Sequence, residues 1–142
     1  MSKDIFTELE FNFRRFYGRL FKYGRSKISE FGLSDSQFNI IVAIYFHGSQ
    51  SLKDLCESLM LAPSTISEMI VRMEDAGLVV KERDRDDKRK IIIGLTEESR
   101  KIVKSVIEAR VKYVKKISSG IEKETLLTLS DTLSRMLECR DL

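Results

Sequence analysis

The chain has 142 residues, 42% of them apolar and 33% charged, which suits one globular domain, or one domain with long arms, and excludes a disordered segment. No apolar run reaches the length of a membrane span and the acidic start MSKDIFTELE lacks a signal-peptide core, so a soluble, cytoplasmic protein with no membrane partner is expected. A net charge of +3 does not by itself imply nucleic acid, and two distant cysteines with a single histidine, His47, argue against a zinc site, a disulfide framework and histidine catalysis; no metal or cofactor is expected.

The first predicted element is one long helix from about Asp4 to Phe31. Ile5, Leu9, Phe13, Phe16, Leu20 and Tyr23 follow a 3.6-residue period, and Phe6, Tyr17, Phe21 and Phe31 widen the stripe. An arc this broad needs partners on more than one side. Aromatics interleaved with arginines in FNFRRFYGRLFKYGR also fit stacking on nucleic acid, but helical spacing favours packing in a core or across a dimer. Next, Ser34 with Gln37 makes a capping box, and Leu33 with Phe38 fits a hydrophobic staple. The helix they begin carries Phe38, Ile41, Val42 and Tyr45, ends near Gly48, and is apolar on several sides, so it should sit centrally. His47 at its end reads as a cap or as a charge suited to the helix dipole.

From Leu52 two short helices meet across a tight turn. Leu52, Leu55, Cys56 and Leu59 share one face of the first, with Ser51 as its cap and Cys56 expected as a buried thiol. Ile66, Met69, Ile70 and Met73 share one face of the second, Pro63 suits its first position, and Gly77 suits the left-handed residue past its end. Its opposite face holds Ser64, Thr65, Ser67, Glu68, Val71 and Arg72. Small polar residues at a helix start let backbone N–H groups approach phosphates, and their side chains can reach base edges. An ordinary solvent face has the same composition.

The period then changes to that of strands. VVKERD and KIIIGL flank the polar DRDDKR, which reads as a hairpin. Lys81, Arg83, Arg85, Lys88, Arg89 and Lys90 crowd into it, the footprint of a phosphate-binding element. Glu82, Asp84, Asp86 and Asp87 lie in the same stretch, so a solvated hairpin with internal ion pairs explains the charge equally well. Thr96 then caps a helix through Ile102, Val106, Ala109/Arg110, Tyr113, Val114 and Ile117, which SSG at 118–120 breaks, and a last helix carries Leu126, Leu129, Leu133, Met136 and Leu137.

The expected fold class is mainly α with a small β-hairpin wing (α+β): a winged helix-turn-helix at 33–96, flanked by dimerisation helices at 1–32 and 97–142. The end helices have no second layer to cover them, and a symmetric pair is the economical solution.

This order of elements resembles the multiple-antibiotic-resistance regulator (MarR) family of winged-helix transcription factors, from about Phe6 to Leu137. The most specific match is Asp87-Lys88-Arg89 followed, after five intervening residues, by Leu95-Thr96. LAPSTISEMIVRMEDAGLVVKERD at 61–84 is similar to the family's recognition helix and first wing strand, and LSDSQFNIIVAI at 33–44 to its second helix. The resemblance implies a homodimer bound to a palindromic double-stranded DNA operator, acting as a repressor released by a small aromatic effector. It implies that Arg89 enters the minor groove, that Asp87 braces the wing, and that Arg85 and Lys88 flank it on phosphates. Ser64, Thr65, Ser67 and Arg72 match the groove-facing positions. Glu68 departs from the pattern; pairing with Arg72 at i+4 is favoured over contact with a cytosine. The first helix has no cysteine, which argues against thiol-based peroxide sensing. Phe13, Tyr17, Phe38 and Tyr45 are candidates to line an effector cleft, although their spacing suits core better. The competing function is a winged-helix protein-interaction or non-specific nucleic-acid-binding module. No nucleophile–base pair, glycine-rich phosphate loop or metal constellation suggests an enzyme.

Overall fold

The computed structural model describes residues 4–139. In chain order the elements are α1 (Ile5–Glu30), α2 (Asp35–His47), β1 (Gln50–Ser51), α3 (Leu52–Leu59), α4 (Pro63–Asp75), β2 (Val79–Arg83), β3 (Ile91–Leu95), α5 (Glu97–Ile117) and α6 (Lys123–Glu138). They fall into two compact units, one ending at Arg110 and the other starting at Val111.

In the first unit the core is built around α2. Phe38, Ile40, Ile41 and Ile44 are all buried, which is what a helix apolar on several sides requires. The Ser34–Gln37 capping box forms in both directions, at 3.2 and 3.0 Å, and Leu33 and Phe38 both join the core. Leu55 from α3 and Ile66, Ile70 and Met73 from α4 pack into the same core, each at most 1% exposed. Burying one such side chain contributes about 1.5–3 kcal/mol. The helix-turn-helix angle is therefore fixed by packing. Met60 makes the turn in the left-handed region, at φ 55°. Cys56, expected to be buried, is only half-buried: it lies at the margin of the α3 face, where the core meets solvent. Ser51 caps α3 as expected, and Asp54 completes its box by accepting from the Ser51 N–H at 3.1 Å.

The hairpin pairs Val79 with Leu95, Lys81 with Ile93 and Arg83 with Ile91. A third strand, too short to leave a periodic signature, pairs with β3, so the sheet order is β1-β3-β2. Gly94 permits this approach: a Cβ there would stand 3.2 Å from Ser49 Oγ. Burial is confined to the root of the hairpin. Val79, Ile93 and Leu95 are buried, whereas every residue from Lys81 to Ile91 except the half-buried Asp84 is exposed. The distal half thus projects from the core. At its base Gly77, at φ 73°, ends α4, with the Leu78 N–H donating to the Met73 carbonyl at 2.9 Å. Thr96 Oγ1 accepts from the Ser99 N–H at 3.3 Å, capping α5, and donates to the Gly77 carbonyl at 2.8 Å.

The stripe on α1 is not core in this chain. Only Gly24 and Ile28 of α1 are buried; Ile5, Phe6, Phe13 and Phe16 are exposed. In the second unit α6 buries no residue, and Leu127, Leu129, Leu133 and Met136 lie open.

Candidate nucleic-acid interface

Helix α4 turns Ile66, Ile70 and Met73 inward and half-buries Met69, which leaves Ser64, Thr65, Ser67, Glu68, Val71 and Arg72 exposed on the opposite face. The N-terminal residue of the cap is Ala62, which makes no side-chain cap, and Pro63 follows at the first position. The N–H groups of the first turn at Ser64 and Thr65 therefore face solvent without a capping side chain, as an anion-accepting helix start does. Arg72 and Glu68 form the expected i,i+4 pair, with Nη2 2.8 Å from Oε1. Both are largely exposed, so the pair adds little stability. Its effect is to hold the Arg72 guanidinium along the helix face.

The wing loop is tied from within. The Asp84 N–H donates to the Lys90 carbonyl and the Lys90 N–H to the Asp87 carbonyl, both at 2.9 Å. Asp87 Oδ1 accepts from the Arg89 backbone N–H at 3.1 Å and from Arg89 Nε at 3.2 Å. The Arg89 side chain is 93% exposed, so Asp87 aims an otherwise free guanidinium away from the protein. Arg83, which the sequence placed only in the basic cluster, has a local role: its Nη1 donates to the Lys88 carbonyl at 3.1 Å and closes the other side of the loop. Arg85 and Lys88 are exposed beside Arg89. Among the described residues no group of three His, Cys, Asp or Glu is placed to hold a metal, and no helix is long and apolar enough to cross a membrane.

The four cleft candidates have different surroundings. Phe38 is core, at 2% exposure. Tyr45 packs half-buried against the core, edge-on to Phe46 at 5.3 Å. Phe13 and Tyr17 are exposed on α1, and Tyr17 stacks on Phe21 at 5.6 Å. A residue the sequence placed only on a stripe, Arg110 of α5, stands beside Phe38 and α1. Its Cζ lies 5.5 Å from the Phe38 ring centroid, and its guanidinium fills a slot at Gly24, where a Cβ would fall 2.5 Å from Nε. Arg110 Nε is buried and lacks a hydrogen-bond partner among the described residues. Burial pulls the Arg110 guanidinium below its ordinary pKa, with Tyr17 and Asp35 acting in the opposite direction. The readable signals were an arginine on an apolar stripe and a glycine inside a long helix, 86 residues apart.

A reading helix packed on a second helix, with a projecting hairpin tipped by an aimed arginine, defines a winged helix-turn-helix protein. The family model described as "MarR family" matches residues 33–91. The HTH-type transcriptional regulator FarR of Neisseria gonorrhoeae is 25% identical over 82% of this chain and 80% of its own. A MarR family protein from Bacillus stearothermophilus has a structure that superposes with a TM-score of 0.83, at 25% identity over 97% of this chain and 96% of its own. Residues 33–91 thus carry the likeness to the MarR family, and the relatives and solved structures that this chain is similar to are transcriptional regulators of that kind. Two more distant structures share the fold. One is a MepR variant from S. aureus bound to an oligodeoxyribonucleotide, with TM-score 0.65 and 20% identity over 92% of this chain and 96% of its own. The other is NadR in complex with 4-hydroxyphenylacetate, with TM-score 0.73 and 23% identity over 90% and 91%.

Proposed function

We propose that the chain acts in the cytoplasm as a homodimeric repressor on a palindromic operator, with 33–96 as the DNA-binding lobe and 1–32 and 97–142 as the dimerisation helices. Arg89 carries the reading: a guanidinium held out by Asp87 beside the exposed polar face of α4 suits a minor groove next to the major groove that α4 would enter. The MepR complex with DNA supports it. The uncovered apolar faces of α1 and α6 supply the surface a second copy would bury. Ser64, Thr65, Ser67 and Arg72 then read or position on the major-groove side, and Arg85 and Lys88 bind phosphates beside Arg89. Selection from a random DNA pool tests the whole. A palindrome with half-sites about 10 base pairs apart, preferred over random duplex at least ~1,000-fold at physiological salt, is the expected result. A ratio near one, or a monomer by sedimentation, would replace this reading with an interaction module or a non-specific binder.

Arg110 gives the effector a chemical class. A partly buried guanidinium whose Nε has no hydrogen-bond partner among the described residues is stabilised by a carboxylate that accepts from it, in addition to the charge of Asp35. Tyr17, exposed on α1, supplies aromatic contact, and Phe13 lies one turn from it on the same helix. The effector is therefore a small aromatic acid, as in the NadR complex. We expect 4-hydroxyphenylacetate to release a labelled duplex from the protein while 4-hydroxyphenylacetamide does not. In Arg110→Met the acid should act about 10- to 100-fold more weakly, the loss of one charged hydrogen-bonding partner. Equal potency of acid and amide would remove Arg110 from the role.

A further inference from the structure

Between α3 and the hairpin, with Ser67 of α4 at its margin, lies a trough of about 630 Å³. Ser67 of α4 and Arg89 of the wing form part of its lining, together with Lys53 and Glu57 of α3 and Lys81 and Lys90 of the hairpin. The two grooves of a duplex are divided by a single sugar–phosphate strand. A lobe with Ser67 in one groove and Arg89 in the next has to straddle that strand, and the surface that joins those two residues is this trough.

The charge of the trough fits such an occupant. Lys53, Lys81 and Lys90 are exposed within it, and a backbone strand carries one negative charge per roughly 3.4 Å. Two carboxylates share the lining. Asp54 is tied back: hydrogen bonds from Ser51, aided by the charges of Lys90 and Lys53, hold its carboxyl below the usual range. Glu57 adds a second negative charge. Outside the trough, Glu74 Oε1 lies 3.7 Å from Lys81 Nζ and draws on that ammonium.

We propose that the trough seats the backbone strand dividing the two grooves, with Lys53, Lys81 and Lys90 neutralising its phosphates while Glu57 and Glu74 hold that sequence-independent affinity down. This rests on the reading of α4 and Arg89 in adjoining grooves. Phosphate contacts strengthen binding to every sequence alike, so restraining them leaves discrimination to the base-reading residues.

The experiment uses the full chain with two labelled duplexes, one recovered by selection and one scrambled at equal length, titrated across a salt series. Lys53→Ala, Lys81→Ala and Lys90→Ala should each weaken both duplexes by the same factor and flatten the plot of log affinity against log salt by about one unit per lobe. Glu57→Gln and Glu74→Gln should tighten both several-fold with their ratio unchanged. Thermal midpoints by circular dichroism check that each variant folds, and the two glutamine variants report by gain, which misfolding does not mimic. If Arg89→Ala weakens the selected duplex while the lysine variants keep the wild-type slope, the trough assignment is overturned and the groove reading stands. Lysine variants that weaken only the selected duplex also overturn it, because those side chains would then be reading sequence. Should Arg89→Ala itself bind as wild type, the groove reading fails and takes the trough with it.

Discussion

Arg89→Ala is expected to weaken operator binding by about 1–3 kcal/mol per lobe, the scale of one good groove contact, and so by up to twice that for a dimer with independent lobes. The free protein should hardly notice. The side chain is 93% exposed and among the described residues bonds only to Asp87, and surface changes of this kind stay within about 0.5 kcal/mol of neutral. All of the effect therefore falls on the complex. Arg89→Lys separates charge from shape: an ammonium keeps the attraction to phosphates but loses the planar fork and is more strongly hydrated, so it should recover a minor part of the affinity. Asp87→Ala leaves the guanidinium in place but removes both bonds that aim it, and its loss should be smaller than that of Arg89→Ala. Fluorescence anisotropy with duplexes that differ only beneath the wing is the measurement. A narrow A-tract there should bind wild type better than a G·C-rich step, and the difference should vanish in Arg89→Ala. Wild-type affinity in the alanine variant would end the minor-groove assignment.

What the sequence made legible was what local chemistry decides. Periodicity placed every helix, because each has an apolar side with unbroken spacing, and Ser34, Ser51, Pro63 and Gly77 marked the ends because caps and breakers act within a turn or two. The Asp54 half of the second capping box escaped notice because that box usually ends in Glu or Gln; the shorter carboxylate makes the same bond. β1 escaped because two residues carry no period, and its pairing with β3 is a tertiary fact. The wing was recognised by its charge and by the D-x-R spacing, yet charge alone left a solvated hairpin equally plausible. Only the geometry of Asp87 beneath Arg89 separates an aimed cation from a self-neutralised one. Arg110 was hidden for a different reason. Its setting joins Gly24, Phe38 and Asp35 from two other helices, and nothing in the local sequence of α5 states that a glycine far away has made room for it. The same holds for Cys56, whose place on an apolar face said which way it points but not how deep that face lies.

Phe38→Ala is expected to cost about 3–5 kcal/mol of unfolding free energy, the range for truncating a fully buried aromatic. Phe38 is among the largest fully buried side chains, and its ring contacts the Arg110 guanidinium on one side and the α2-centred core on the others. Truncation loses the apolar burial, the cation–π contact and the packing around the cavity left behind. One factor pulls toward the lower end of the range: a water admitted to that cavity would bond Arg110 Nε, which has no partner among the described residues. Phe38→Leu retains most of the volume and should lose far less. Tyr17→Ala is the control, since Tyr17 was an equal candidate for the cleft but is 69% exposed, and its removal should leave stability within about 0.5 kcal/mol. Urea unfolding at one fixed protein concentration compares the three without the concentration dependence that association introduces. The contrast decides what Phe38 is for. A core residue gives a large stability loss with effector affinity falling only through the displaced Arg110, whereas a cleft wall gives a small stability loss with a direct loss of affinity; a cost under about 1 kcal/mol in Phe38→Ala would move it from the first role to the second.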